Sequence, residues 1–251
     1  MVKDKSALSL AKCFTIWVSA GIVTVLAWLG LGQLLHKEVS DLSRATLTIY
    51  LVQGTVFLLA VFWAGATLGI NFKTTLSNYN ASIKNDLKVA LKYYLAYALF
   101  EVAILGVFVL IAVSLWKMDL FDMVAFNRAD TVRSLRQPEL TYLYNLVIGP
   151  PFKFIIYLFT TCILNPISEE IFFRRFLYVS LRHKVSFLPS LIVSSLLFSA
   201  VHLGAGAPTA FIVGLFLGWI YERHQNLQAN IMVHGLINFS VTLIMIFLSI
   251  K

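Results

Sequence analysis

The chain has 251 residues, of which 59% are hydrophobic and 13% are charged, and its mean hydropathy is +0.82. Soluble domains carry about 25% charged residues, so this composition excludes a soluble enzyme, a disordered protein and a disulfide-rich secreted module. The 20 Lys and Arg outnumber the 12 Asp and Glu and give a net charge of +8. In so apolar a chain, this excess indicates the cytoplasmic loops of a membrane protein and not nucleic-acid binding. Cys13 and Cys162 lie in apolar runs without metal-ligand spacing, and we interpret them as packing residues.

Seven apolar runs follow one another along the chain, and a membrane helix needs about 20 such residues to cross the hydrocarbon core. The predicted spans are residues 13–35, 45–70, 93–116, 152–168, 187–203, 209–221 and 229–250. The first run is longer than the apolar part of a signal peptide, so we expect an uncleaved anchor. Pro150 and Pro151 should break the chain before the fourth span, and residues 143–149 ahead of them would make an eighth span if they extend. The sequence therefore predicts an all-α, polytopic membrane helix bundle with seven or eight transmembrane helices.

A polar stretch divides these spans into two groups. Residues 118–142 form the longest hydrophilic segment. It predicts three parts: N-terminal transmembrane helices in residues 1–117, a polar connecting loop in residues 118–142 and a membrane core in residues 143–251. Lys and Arg are more frequent on one side of the predicted membrane, where residues 73–92 and 174–184 form loops. Because such loops stay in the cytoplasm, we expect a multi-pass protein of the cell membrane with a cytoplasmic N-terminus.

Two adjacent acids and an arginine follow the fourth predicted span, in the sequence EEIFFR. Adjacent residues on a helix point about 100° apart, so Glu169 and Glu170 can do different work. Glu170 and Arg174 are four residues apart and can pair along one helix face. The spacing indicates Glu169 as a working carboxylate and Glu170 as a carboxylate held by Arg174, or else a charged helix end at the membrane surface.

Polar side chains also interrupt two later spans. His202 ends the fifth span, and His234 and Asn238 lie four residues apart on one face of the last span. Such groups need partners inside a membrane, so His202 could equally be a hydrogen-bonded core residue and the other two an interhelical clamp. Together with Glu169, they supply a general base, a side chain that orients water or binds a metal, and donors for an oxyanion, as hydrolysis requires. The sequence contains no HExxH motif of zinc peptidases and no GxSxG motif of serine hydrolases.

In this order, EExxxR, FxxxH and HxxxN resemble the motifs of the CPBP family (CAAX protease and bacteriocin-processing, or Abi) of intramembrane endopeptidases. The type II CAAX prenyl endopeptidases belong to that family. The resemblance covers residues 152–238. It implies that Glu169 activates water with His202 as its partner, and that His234 and Asn238 polarise the scissile carbonyl.

The resemblance also implies supporting roles for Glu170 and Arg174, and it leaves two mechanisms open. In the first, Glu169, His202 and His234 are the three ligands of a Zn²⁺ ion that keeps an open fourth position. In the second, the same side chains hold the water without a metal, and the enzyme is a glutamate peptidase.

The function that the resemblance implies is that of a CAAX-type intramembrane protease, a hydrolase that cleaves peptide bonds in a membrane-associated protein or peptide. Its partners are then the lipid bilayer and that substrate, and no nucleic acid. The alternative is a non-catalytic protein of the same fold, such as a bacteriocin-immunity protein or a membrane scaffold, in which the polar residues are structural. A small transporter would need an inverted repeat, and the two halves of this sequence do not match.

Overall fold

The structure is a computed structural model that describes residues 8–34, 47–67, 83–117, 140–202 and 206–250. Within these ranges the chain forms eight helices and no strand, so the predicted all-α fold is confirmed. In chain order the helices are α1 (Leu10–Leu34), α2 (Leu47–Thr67), α3 (Ile83–Lys117), α4 (residues 140–148), α5 (Pro151–Arg182), α6 (Phe187–Ala200), α7 (Ala207–His224) and α8 (Leu227–Ile250).

The described helices have the composition of membrane helices. Three of them, α1, α5 and α8, are long and apolar enough to cross a membrane, and α6 and part of α2 are shorter apolar helices. Large Leu, Ile, Val and Phe side chains are exposed along the bundle, as contact with lipid and not with water requires. The chain is therefore an all-helical membrane protein, and the seven spans and the cytoplasmic N-terminus stay predictions.

The proline pair separates two helices, as predicted. α4 ends at residue 148, and Pro151 is the first residue of α5. A proline is tolerated there because the first N–H of a helix has no partner within the helix. The junction between α4 and α5 therefore follows from the backbone chemistry of Pro150 and Pro151.

The predicted end of the fourth span at residue 168 is wrong, because α5 continues to Arg182. The charges after residue 168 do not end the helix, since Glu170 and Arg174 form an ion pair of 3.0 Å within the bundle. Arg174 and Arg175 are buried parts of this helix and do not lie in a cytoplasmic loop as predicted.

Two segments of α5 are π-helical, Thr160–Leu164 and Ile171–Tyr178. In the first, the Asn165 N–H donates to the Thr160 carbonyl, five residues earlier. Pro166, the next residue, has no N–H to donate to the carbonyl that follows. Such wide turns are rare and are frequently found at functional sites, and here they enclose the short α-helical stretch that carries both glutamates.

α5 contacts most of the other described helices, among them α1, α2, α6, α7 and α8. Two glycines allow the closest approaches. A Cβ atom on Gly235 of α8 would lie 2.3 Å from the Cys162 carbonyl oxygen, and one on Gly54 of α2 would lie 2.5 Å from Asn165 Oδ1. Both contacts are at the first π-helical segment, so α8 passes directly beside the part of α5 that precedes the glutamates.

Some predictions lie wholly or partly outside the described residues. These are the polar loop up to residue 139, residues 68–82 of the region before α3, and residues 203–205 of the turn before α7. Within the described part, residues 83–92 of the predicted cytoplasmic loop are the first turns of α3. The division into three parts stays a prediction.

Candidate active site

Glu170 is the centre of a buried hydrogen-bond network. Its side chain is fully buried, on the stretch Asn165–Glu170 between the two π-helical segments. Its Oε2 atom accepts from Arg174 Nε at 3.0 Å and from Asn230 Nδ2 at 3.1 Å, and its Oε1 atom lies 3.0 Å from His234 Nδ1. The predicted pair of Glu170 and Arg174 is confirmed. An ionised carboxylate only accepts hydrogen bonds, so this arrangement indicates a proton on His234 Nδ1.

Glu169 lies near the other nitrogen of the same histidine. Its Oε2 atom is 3.6 Å from His234 Nε2, a distance longer than that of a direct hydrogen bond. Its side chain is 20% exposed, whereas that of Glu170 is 0% exposed. The two adjacent carboxylates therefore have different surroundings, as their separation around the helix predicts: one is bound within the bundle and the other is accessible.

His202 joins this group through Phe198. His202 Nδ1 lies 2.8 Å from the Phe198 carbonyl oxygen, one turn earlier. The Phe198 ring lies 4.7 Å from the His202 ring and 5.8 Å from the His234 ring, and the Arg174 guanidinium lies 5.2 Å from its centre. The structure thus brings three side chains that are far apart in the sequence into one place.

Asn238 contacts the backbone of α5. Its Nδ2 atom donates to the Thr161 carbonyl oxygen at 2.8 Å. This is the carbonyl that Pro166 leaves without a donor in the π-helical register. The contact is the interhelical clamp that the sequence left open as an alternative, and a role of Asn238 toward an oxyanion stays a prediction.

The described residues contain no group of three His, Cys, Asp or Glu side chains that could hold a metal ion. As placed here, Glu169, His202 and His234 therefore do not form the three-ligand group of a zinc site. Metal binding by these residues stays a prediction.

Asn230 is a site residue that the sequence analysis missed. It is fully buried, and its amide reaches both Glu170 and the Leu217 carbonyl of α7. It precedes His234 by four residues, just as His234 precedes Asn238, so all three share one face of α8. That repeated spacing is the signal that could have revealed it.

Other polar groups of the membrane core form contacts away from these residues. Arg182 pairs with Glu222 of α7 at 2.9 Å, and the Tyr178 hydroxyl donates to the same carboxylate at 2.8 Å. In α3, outside this core, Glu101, whose role the sequence left open, accepts a hydrogen bond from Tyr97 on its own helix. The contacts of Glu222 join α5 to α7, the contact of Glu101 lies within α3, and none of them includes the candidate catalytic side chains.

Comparison with known proteins gives a family match to the part of the chain that carries these side chains. Residues 151–240 match the family model of type II CAAX prenyl endopeptidases, described as Rce1-like. A stretch of 79 residues is 33% identical to the UPF0177 protein YxdF of Lactococcus lactis subsp. lactis (strain IL1403), and it covers 30% of this chain. The chain spans 42% of the length of that relative. No solved structure matches the chain.

All candidate catalytic and supporting residues, from Glu169 to Asn238, lie within the matched range. The resemblance that the motifs predict is therefore confirmed: residues 151–240 of this membrane protein are similar to the Rce1-like type II CAAX prenyl endopeptidases.

Proposed function

We propose that the protein is an intramembrane endopeptidase that hydrolyses peptide bonds in a membrane-associated peptide or protein. The observation that carries the proposal is the group of Glu169, Glu170 and His234, in which two carboxylates flank one imidazole inside the bundle. Ionisable groups in this environment are costly for stability and mark functional sites in membrane proteins. The similarity of the same residues to a protease family supports a peptide bond as the target.

Glu169 is the general base in this mechanism. A water molecule about 2.8 Å from both Glu169 Oε2 and His234 Nε2 fits the 3.6 Å between these atoms. His202 helps to orient that water through the ring nitrogen that is not bonded to the Phe198 carbonyl. Glu169 takes a proton from the water as its oxygen attacks the carbonyl carbon, and then gives the proton to the leaving amine. The products are a carboxylic acid and an amine.

The oxyanion that forms during attack needs hydrogen-bond donors. A His234 ring with protons on both nitrogens donates one to Glu170 and offers the other, on Nε2, to the oxyanion. Asn238 lies one turn further along α8 and is the second donor. To act as one, its amide must release the Thr161 carbonyl and donate to the oxyanion instead. Glu170 and Arg174 hold His234 and do not touch the substrate.

A cleavage assay on a peptide library tests the proposal. The purified protein in liposomes is mixed with peptides that do or do not carry a lipid anchor, and mass spectrometry identifies the products. We expect Glu169→Gln to lower the rate by about 10²-fold or more, because it keeps the shape of the side chain and removes the base. Glu101→Gln is the matched control, since it makes the same change at a carboxylate that bonds Tyr97 away from the site.

Each outcome of this assay has a meaning. Wild-type activity in Glu169→Gln would contradict the proposal and favour a non-catalytic immunity protein or scaffold. A chelator added to the wild type then separates the two mechanisms. Inhibition that zinc reverses supports a metal enzyme, and resistance to the chelator supports a glutamate peptidase.

A further inference from the structure

The Asn230 amide joins three helices at one buried point. It projects from α8, and its Nδ2 atom donates to the Leu217 carbonyl of α7 at 2.8 Å and to Glu170 Oε2 of α5 at 3.1 Å. Asn230 and Glu170 are both fully buried. Both hydrogens of the amide are therefore used, and one of them is bound to the carboxylate that faces His234.

The orientation of this amide is fixed by its partners. A carbonyl oxygen and an ionised carboxylate only accept hydrogen bonds, so the group that faces both must be the NH₂ group and not the oxygen. The Asn230 oxygen is buried, and no described residue donates to it. A buried acceptor without a partner lowers stability. At this position the loss is the consequence of turning the NH₂ group toward its two acceptors.

We propose that Asn230 is a positioning residue that orients the His234 ring through Glu170. With Oε2 held by Arg174 and Asn230, the carboxylate presents Oε1 to His234 Nδ1 at 3.0 Å. With Nδ1 bound to Glu170, Nε2 is the nitrogen that faces Glu169. Only the kinetic consequence of this inference rests on the proposed function.

Nitrogen-15 NMR of histidine-labelled protein in lipid nanodiscs tests the inference without any substrate. The His234 signals are identified by their loss in His234→Gln. In the wild type we expect a downfield, exchange-protected Nδ1–H proton, the signature of an imidazole bound to a carboxylate. We expect this signal to be lost or shifted in Asn230→Leu, which has the same number and branching of side-chain heavy atoms and no donor, and in Asn230→Asp, which has the same shape and a carboxylate in place of the amide donor.

Asn226→Ala is the control for a merely structural effect. Asn226 lies one turn before Asn230, directly ahead of α8, where it caps the helix and bonds Asp86. We expect this variant to keep the His234 signal even if its melting temperature falls. A His234 signal that is unchanged in either folded Asn230 variant, or one that is lost equally in Asn226→Ala, overturns the inference.

Kinetics provide the second readout, on the library peptide that the wild type cleaves best. Asn230 is fully buried and contacts Glu170, not the accessible Glu169. In the Asn230 variants we therefore expect kcat to fall about tenfold or more while KM stays within about twofold, as for other residues that orient a histidine through a hydrogen-bonded carboxylate. A rise in KM alone overturns the inference. If the wild type cleaves no peptide, the proposed function fails, and the NMR result still decides the role of Asn230.

Discussion

Arg174 compensates the charge of Glu170 inside the membrane core. Its side chain is fully buried, its Nε atom bonds Glu170, and its guanidinium lies over the Phe198 ring. Breaking a buried ion pair by removing one partner is more costly than the pair is stabilising, because the other charge stays behind. With Glu169 next to it in the chain, an uncompensated Glu170 would place two acids together in a low-dielectric environment.

We therefore expect Arg174→Ala to destabilise the protein by about 3–5 kcal/mol and to lower its abundance in the membrane. Arg175→Ala is the matched control, because it removes a neighbouring buried arginine and keeps the pair of Glu170 and Arg174. Thermal unfolding in detergent and immunoblots of membrane fractions measure the two losses. Equal and small losses of stability and abundance in the two variants would show that the buried charge of Glu170 does not require Arg174.

Contacts within one helix were predictable from the sequence, and contacts between helices were not. The spacing of Glu170 and Arg174 gives their pair directly. The bonds from Asn230 and His234 to Glu170 join residues 60 and 64 positions apart on different helices, and no spacing rule places them. The partner of Asn238 depends on Pro166 and on the π-helical register, which hydropathy does not reveal.

At the scale of elements, the site depends on the close contact of α8 with α5. Gly235 lies against the Cys162 carbonyl, beside His234, and the clamp of Asn238 on Thr161 is one turn away. A side chain at position 235 would separate the two helices where both glutamates and the histidine must meet. The glycine is therefore a requirement of the site geometry and not only of packing.

We expect Gly235→Ala to lower the free energy of unfolding by about 1–3 kcal/mol, the usual cost of overpacking, and to reduce cleavage further than this loss explains. Gly21→Ala on α1 is the control, because a Cβ atom there meets no atom within 4 Å. Unfolding in detergent and the cleavage rate per folded molecule are the measurements. A Gly235→Ala protein with wild-type stability and rate would show that the two helices can separate without consequence.

Hydropathy predicted where most helices lie and misjudged where α5 ends. A count of charges predicts that the segment with Glu169, Glu170 and Arg174 lies at the membrane surface, because the count ignores the ion pair of Glu170 and Arg174. In the folded chain two of these charges neutralise each other, so the helix continues to Arg182. The sequence pattern therefore fails at the segment that carries the candidate chemistry.

At the scale of the whole molecule, polar contacts gather at one end of the bundle. Arg182 bonds Glu222, and Asn226 bonds Asp86 at 2.6 Å. The Tyr93 hydroxyl lies 2.7 Å from His224 Nε2. These contacts connect the end of α5, the end of α7, the start of α8 and the first turns of α3. Such a polar end agrees with a membrane surface, and the predicted orientation makes it the cytoplasmic one.

Single-cysteine labelling tests this orientation. In a background with Cys13→Ala and Cys162→Ala, we expect Lys184→Cys, in the exposed turn after α5, to be protected from an impermeant maleimide added to intact cells. Gly206→Cys, at the exposed start of α7, should react. Permeabilised cells should label both positions and thereby control for accessibility. The opposite pattern would contradict the predicted orientation of α5 to α8.

The two π-helical segments also bear on how such a site can arise. A wide turn is what a regular helix becomes when a single residue is inserted and its flanking turns keep their neighbours. Thr160–Leu164 and Ile171–Tyr178 enclose the stretch with both glutamates, so one added codon on either side is enough to turn that stretch relative to α8. A bundle of plain α-helices can in this way gain carboxylates that face its histidines without any new helix or loop. In evolutionary terms, the number of residues in α5 then decides which way Glu169 and Glu170 face.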